Sequence, residues 1–211
     1  MLSEGQISEG GLHWLLIMNF FFARNRLEFW GKVPIEAAYS CLRRRIMATT
    51  ALKGTPVQTN SDLPANGSAA PDFLLIGADL SENTLGSFEG KKKILTINPS
   101  YDTPVCQTVA RSFNERAASL DDVVVLVISP DLPFAQKRFC VAEGLEGVVP
   151  LSTFRGSFLD DYGVKMVDGA MKDLAARAIV VVDENNRVVH TELVADIVQE
   201  PDYDAAIAAV S

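Results

Sequence analysis

The chain has 211 residues, is 48% hydrophobic and carries a formal net charge of −8, which leaves room for one domain with a sizeable core plus an additional segment. Its acidic balance argues against nucleic acid or an anionic membrane surface as a partner. Three cysteines without a C-x-x-C are too few for a disulfide-stapled scaffold, two histidines leave no zinc site at usual spacing, and neither a G-x-G-x-x-G nor a Walker A loop offers a nucleotide cradle.

Residues 1–46 differ in composition from the rest. They hold net charge +2 against −10 for the remainder, and both tryptophans, Trp14 and Trp30. The apolar run Leu12–Phe22 is shorter than the roughly twenty residues that span a bilayer. It also lacks the basic leader and small-residue exit of a secretory signal, and Glu4, Glu9, Glu28 and Glu36 argue against a transit peptide. Met47-Ala48-Thr49-Thr50 reads as a start. The expectation is that residues 1–46 derive from an upstream start codon and stand outside the fold, with His13 and Cys41 as bystanders.

From Met47 onward a hairpin is expected around Leu52–Thr59, turning at Gly54-Thr55-Pro56, before a polar, turn-rich stretch Asp62–Pro71. Strands follow near Phe73–Ala78 and Lys93–Asn98. Lys91-Lys92-Lys93 reads as a solvated turn ahead of the second strand rather than an anion site. Pro99 ends that strand. Thr103 is a good N-cap, and Pro104 at the first helical position gives up an amide hydrogen that has no partner there. Val105, Val109, Phe113 and Leu120 continue the helix to about Ser119.

Cys106 thus falls in the first helical turn, where free backbone N–H groups and the positive end of the macrodipole favour a thiolate. The alternative is a small buried hydrophobe; the strand–loop–helix setting favours the reactive reading. Val123–Ser129 is a continuous β-branched run, as expected of a central strand buried on both faces. Pro133 opens a second helix bearing Phe134, Phe139 and Cys140. Val148–Leu151 is a short strand and Phe158–Tyr162 a single helical turn. Ala178–Val182 and Val188–Leu193 flank the turn Asp183-Glu184-Asn185-Asn186, and Asp202–Val210 closes the chain as a helix. Strands alternating with helices predict an α/β protein, a three-layer α/β/α sandwich.

Two further residues could serve Cys106. Arg177 sits where Leu174-Ala175-Ala176 meets a strand, so its guanidinium has little access to water and needs a partner charge. A thiolate would serve; an ordinary strand-edge arginine paired with a surface acid is the other reading. Arg111 is either a second candidate or part of a solvated helix face. Cys140 lies 34 residues beyond Cys106, and spacing alone leaves it either redox-active or a core thiol.

Pro99, Thr103 and Cys106 match the peroxiredoxin signature Pro-x-x-x-Thr-x-x-Cys. Asp131-Leu132-Pro133-Phe134-Ala135-Gln136-Lys137-Arg138-Phe139-Cys140, Leu151-Ser152-Thr153-Phe154-Arg155 and Leu174-Ala175-Ala176-Arg177-Ala178 narrow the resemblance to the thiol peroxidases, from about Met47 to the C-terminus. The resemblance implies a thioredoxin fold with a peroxiredoxin-type N-terminal hairpin. It implies a cytoplasmic homodimer that reduces hydrogen peroxide and organic hydroperoxides without metal, haem or flavin, recycled by thioredoxin. Cys106 would become a sulfenic acid and Cys140 would resolve it as an intramolecular disulfide, with Thr103, Arg177 and Pro99 around the sulfur. A disulfide oxidoreductase and a non-enzymatic peroxide sensor are the rival readings, the first disfavoured by the missing C-x-x-C.

Thiolate supply alone explains little of such chemistry. Lowering a cysteine's pKa from about 8.5 to about 6 raises the thiolate fraction roughly 30-fold at neutral pH, and the accompanying loss of nucleophilicity returns roughly 13-fold. The rest must come from charge stabilisation as the O–O bond breaks. A disulfide also needs Cα atoms within about 7 Å, whereas Cys106 and Cys140 are expected on separate helices. Oxidation is therefore expected to unwind one or both segments.

Overall fold

A computed structural model describes residues 47–120 and 122–211; the expectations for residues 1–46, including His13, Trp14, Trp30 and Cys41, lie outside the described residues. The described residues begin with a two-stranded antiparallel hairpin, β1 (Thr49–Leu52) and β2 (Thr55–Gln58). Its two-residue loop is Lys53-Gly54, with φ of 52° and 80°, a geometry that suits the right-handed strand twist and that glycine adopts at little cost. The turn therefore falls ahead of the predicted Gly54-Thr55-Pro56. Thr55 and Pro56 belong to β2, where edge position lets proline take part without a donor.

The remaining strands are β3 (Leu75–Gly77), β4 (Glu82–Asn83), β5 (Lys92–Ile97), β6 (Val123–Ser129), β7 (Val149–Ser152), β8 (Ala178–Val182) and β9 (Val188–Leu193). They form one sheet in the order β4-β3-β7-β6-β5-β8-β9. β7, β6 and β5 run parallel, and the outer pairs are antiparallel. Among the described residues the helices are α1 (Pro104–Ala117), α2 (Pro133–Glu143), α3 (Phe158–Asp161) and α4 (Tyr203–Ala208). The short β4 and a 3-10 turn at Leu85–Phe88 carry no hydrophobic period long enough to be read from sequence.

Alternation along the central strands splits the core. Leu95, Leu126, Ile128, Val180 and Val182 face Phe73, Leu85, Phe158 and Tyr162. Ile94, Val125, Val127, Ile179 and Val181 face the helical side, where Cys106, Val109 and Phe113 of α1, Cys140 of α2 and Ala206 of α4 pack. The three-layer α/β/α arrangement follows. Among the described residues no helix is long and apolar enough to cross a membrane.

Lys93 departs from the solvated turn predicted for it. It is the second residue of β5 and fully buried, with Nζ donating to Asn186 Oδ1 at 2.6 Å under the β8–β9 turn. The strand begins one residue earlier than predicted, which points this side chain inward.

Candidate active site

The strand–loop–helix passage from β5 to α1 carries the site. Asn98 continues the β5 ladder by donating its amide to Ile128 O at 2.9 Å. Pro99, buried, then ends the pairing, and Pro104 starts α1. The buried stripe of α1 is Cys106, Val109, Ala110 and Phe113, so Cys106 is on the core face and Val105, one residue earlier, turns towards a pocket.

The Cys106 side chain is 0% exposed. Thr103 Oγ1 lies 2.8 Å from its Sγ and Arg177 Nη2 lies 3.3 Å away. Thr103 occupies the N-cap position by its extended backbone, but its side chain makes no cap hydrogen bond. This corrects the expected capping role. The hydroxyl has one hydrogen, and Sγ and Ser100 O, at 3.0 Å, compete for it.

Arg177, 1% exposed, is held from three directions. Nε and Nη2 donate to Ile197 O at 3.1 and 2.9 Å, and Nη1 donates to Asn98 Oδ1 at 2.5 Å. Asn98 is itself fixed by its Nδ2 donating to Thr96 Oγ1 at 3.1 Å. Among the described residues no carboxylate forms an ion pair with Arg177. A buried guanidinium facing neutral oxygens leaves the Cys106 sulfur as the group able to balance its charge.

The N-terminal hairpin supports this anchor. Asp196 accepts from the amides of Lys53 and Gly54 at 3.0 and 2.7 Å, and Ile197 N donates to Ala51 O at 2.8 Å. The Gly54 amide, first among these donors, holds the Asp196 carboxyl below its ordinary range. Leu52, Pro99, Thr103, Val105, Met171, Arg177, Ile197 and Val198 are among the residues lining a pocket of about 130 Å³. Both residues that hydrogen bond Cys106 Sγ thus open onto an apolar recess.

Cys140 lies in the last turns of α2, buried, in the same core cluster as Cys106, and both thiols are free. Burial pushes the Cys140 thiol up to about 11. Gly144, at φ 65°, ends α2 in the left-handed conformation, and Leu145 N donates back to Cys140 O at 3.0 Å. Arg111 does not join the site: it pairs with Glu143 on the surface at 2.7 Å, linking α1 to α2.

Three supporting groups were missed in the sequence. The sequence signal for Asn98 is a polar residue closing an apolar run. The Ile197 carbonyl carries no side-chain signature at all. Asp131 opens the motif that ends at Cys140. Its carboxylate accepts from Ser100 Oγ at 2.8 Å, Tyr101 N at 2.7 Å and Ser129 Oγ at 2.9 Å, tying the Cys106 loop to the start of α2.

The family model described as Redoxin matches residues 65–207. A curated thiol peroxidase of Mycobacterium tuberculosis (strain H37Rv) is 54% identical over 164 residues, covering 78% of this chain and 99% of that protein. A peroxiredoxin-like protein from Aquifex aeolicus, known from its crystal structure, is 39% identical with a TM-score of 0.74, covering 78% of this chain and 96% of the other. A thiol peroxidase from Chromobacterium violaceum shares the fold at 24% identity and a TM-score of 0.71, covering 76% and 94%.

Proposed function

We propose, from the premise that the chain belongs to the Redoxin family and is a thiol peroxidase, that Cys106 is its peroxidatic nucleophile and Cys140 its resolving partner. The observation that carries this reading is the buried, carboxylate-free Arg177 guanidinium 3.3 Å from Cys106 Sγ. A thiolate there completes a charge pair that no carboxylate among the described residues completes.

In the first step the Cys106 thiolate attacks one peroxide oxygen. The S–O bond forms, the O–O bond breaks, and the departing hydroxide or alkoxide takes up a proton, leaving a sulfenic acid. Arg177 acts on the charge that grows on the peroxide oxygens, at no reorganisation cost because Ile197 O and Asn98 already fix its plane. Thr103 can donate to the thiolate. Turned towards Ser100 O, the same hydroxyl exposes a lone pair to an incoming O–H. Pro99 shields the sulfur from water and presents no competing donor. The apolar pocket wall fits the carbon chain of an organic hydroperoxide as well as hydrogen peroxide.

In the second step the Cys140 thiolate attacks the sulfenic sulfur, giving a Cys106–Cys140 disulfide and water. A thioredoxin returns both thiols, as the resemblance implies. Leu132 and Phe134, exposed apolar side chains at the start of α2, fit an interface between two copies of the chain.

Multiple-turnover peroxide consumption with thioredoxin, thioredoxin reductase and NADPH tests the reading and separates an enzyme from a sensor. Wild type should turn over. Cys106→Ser should be inactive, and Cys140→Ser should react once and then over-oxidise, seen by mass spectrometry as sulfinic acid on Cys106. Wild-type turnover by Cys106→Ser would falsify the assignment.

A further inference from the structure

Tyr101 is the buried polar group that this mechanism leaves unused. Its amide is held by Asp131 Oδ2 at 2.7 Å and its carbonyl by Gln107 Nε2 at 2.9 Å. Its ring stacks on Phe139, the residue before Cys140, with centroids 5.2 Å apart and an 11° angle between planes. The side chain is 2% exposed, yet its hydroxyl has no hydrogen-bond partner. A buried hydroxyl left in that state is destabilising, so it points to a partner that arrives in another state of the protein.

The core cluster around Tyr101 contains both sulfurs. Burial pushes the phenol well above its ordinary range, and charge on Cys106 and then on Cys140 raises it further, with the Asn98 amide opposing from outside bonding geometry. Tyr101 is therefore a protonated donor near two groups that become anions.

We propose that Tyr101 is the hydrogen-bond donor that receives the Cys140 thiolate during disulfide formation. This rests on the reading that Cys140 resolves the Cys106 sulfenic acid. Displacement at sulfur runs in line. Peroxide enters from the pocket lined by Thr103 and Arg177, so the sulfenic hydroxyl stands on that side and Cys140 must approach from the core side, where Tyr101 lies. Cys140 releases its proton to solvent, and its sulfur lone pair forms the S–S bond. The S–O bond breaks, and hydroxide leaves through the pocket and takes a proton from solvent to give water.

Tyr101 is unchanged at the end. Its contribution is to favour the thiolate of a cysteine that burial otherwise keeps protonated. The stack on Phe139 ties donor and nucleophile to neighbouring positions. Besides the two sulfurs, the charge facing Tyr101 is the Asp131 carboxylate that accepts from its amide, while the Arg111–Glu143 pair lies on the surface between α1 and α2.

Tyr101→Phe keeps the ring and removes only the hydroxyl. The reduced full-length protein would receive a stoichiometric pulse of hydrogen peroxide between about pH 7 and pH 11. Sulfenic acid is trapped and weighed by mass spectrometry, and disulfide formation is followed separately on non-reducing gels. The expected result is disulfide formation about tenfold slower at neutral pH, with the apparent pKa of that step raised by about one unit. An unchanged rate overturns the proposal. So does a slower step with an unmoved apparent pKa, which is the mark of packing alone. If oxidised wild type forms no Cys106–Cys140 disulfide, the underlying resolving role fails instead, a result visible before the variant is compared.

Discussion

Thr103 Oγ1 stands 2.8 Å from Cys106 Sγ and 3.0 Å from Ser100 O, with one hydrogen to share between them. Because the Thr103 hydroxyl oxygen accepts from no helix amide, removing the hydroxyl should harm chemistry more than folding. Thr103→Val, which keeps the shape, should lower the second-order rate constant for peroxide by at least about tenfold, the usual worth of a hydrogen bond to a charged group. Thr103→Ser should retain most of the rate. Stopped-flow competition for hydrogen peroxide measures both, and a valine variant as fast as the serine variant would sink the idea.

Arg177→Lys keeps a positive charge but loses the planar fork that satisfies Ile197 O, Asn98 Oδ1 and the sulfur together. Peroxide reactivity should fall by at least roughly 100-fold. An unchanged rate constant would mean that the guanidinium serves packing rather than the transition state.

The Cys140 thiol, pushed up to about 11 by burial, makes stability depend on alkaline pH. An unfolded cysteine titrates near 8.5, so the unfolded chain loses its proton first as pH rises. The contribution is full below about pH 8.5 and is lost as pH climbs towards the folded value. Tyr203, raised by burial to about 12, acts with the same sign at higher pH. The melting temperature of the reduced protein should fall across this window, and Cys140→Ala should show a shallower fall. Parallel curves would contradict the assignment.

We predict that a Cys106–Cys140 disulfide, joining two buried thiols on separate helices, would open the fold locally. Hydrogen exchange should accelerate on oxidation in the first turn of α1, around Phe139–Leu145, or in both. The opening disrupts the Leu145–Cys140 backbone bond. Equal protection in reduced and oxidised protein would refute it.

Residues 1–46 should be dispensable. The motivation is the charge contrast, +2 against −10, and the confinement of both tryptophans to that segment. A chain starting at Met47 should match the full chain in melting temperature and peroxidase rate. A melting point lower by several degrees would show that Trp14 or Trp30 packs against the domain.

Most of the framework was legible because the central strands and α1 have long, unmixed hydrophobic signals. Val123–Ser129, Ala178–Val182 and Val188–Leu193 agree residue for residue with prediction. Boundaries slipped where local chemistry competed, as at Lys53-Gly54 and Lys93. Of the site, Pro99, Thr103, Cys106 and Arg177 were visible as motif residues, and the structure brings Thr103 and Arg177 onto one sulfur beside Pro99. Cys140 was visible too, and lies in the same helical-side core. What sequence could not convey was support by backbone and by distant carboxylates: the Ile197 carbonyl, the Asp196 clamp on the hairpin and the Asp131 hub join residues far apart in the chain.

Among the described residues the Arg177 guanidinium pairs with no carboxylate, and this bears on redox poise. In the proposed mechanism, oxidation to a sulfenic acid or a disulfide would remove the thiolate charge at Cys106 but leave the cation buried among neutral oxygens. The oxidised protein would thus carry an electrostatic penalty that the reduced form, with Cys106 as a thiolate, does not. That difference raises the reduction potential of the couple, with about 30 mV corresponding to about 1.4 kcal/mol. Arg177 would therefore serve both halves of the cycle, speeding the loss of electrons to peroxide and strengthening the pull for their return.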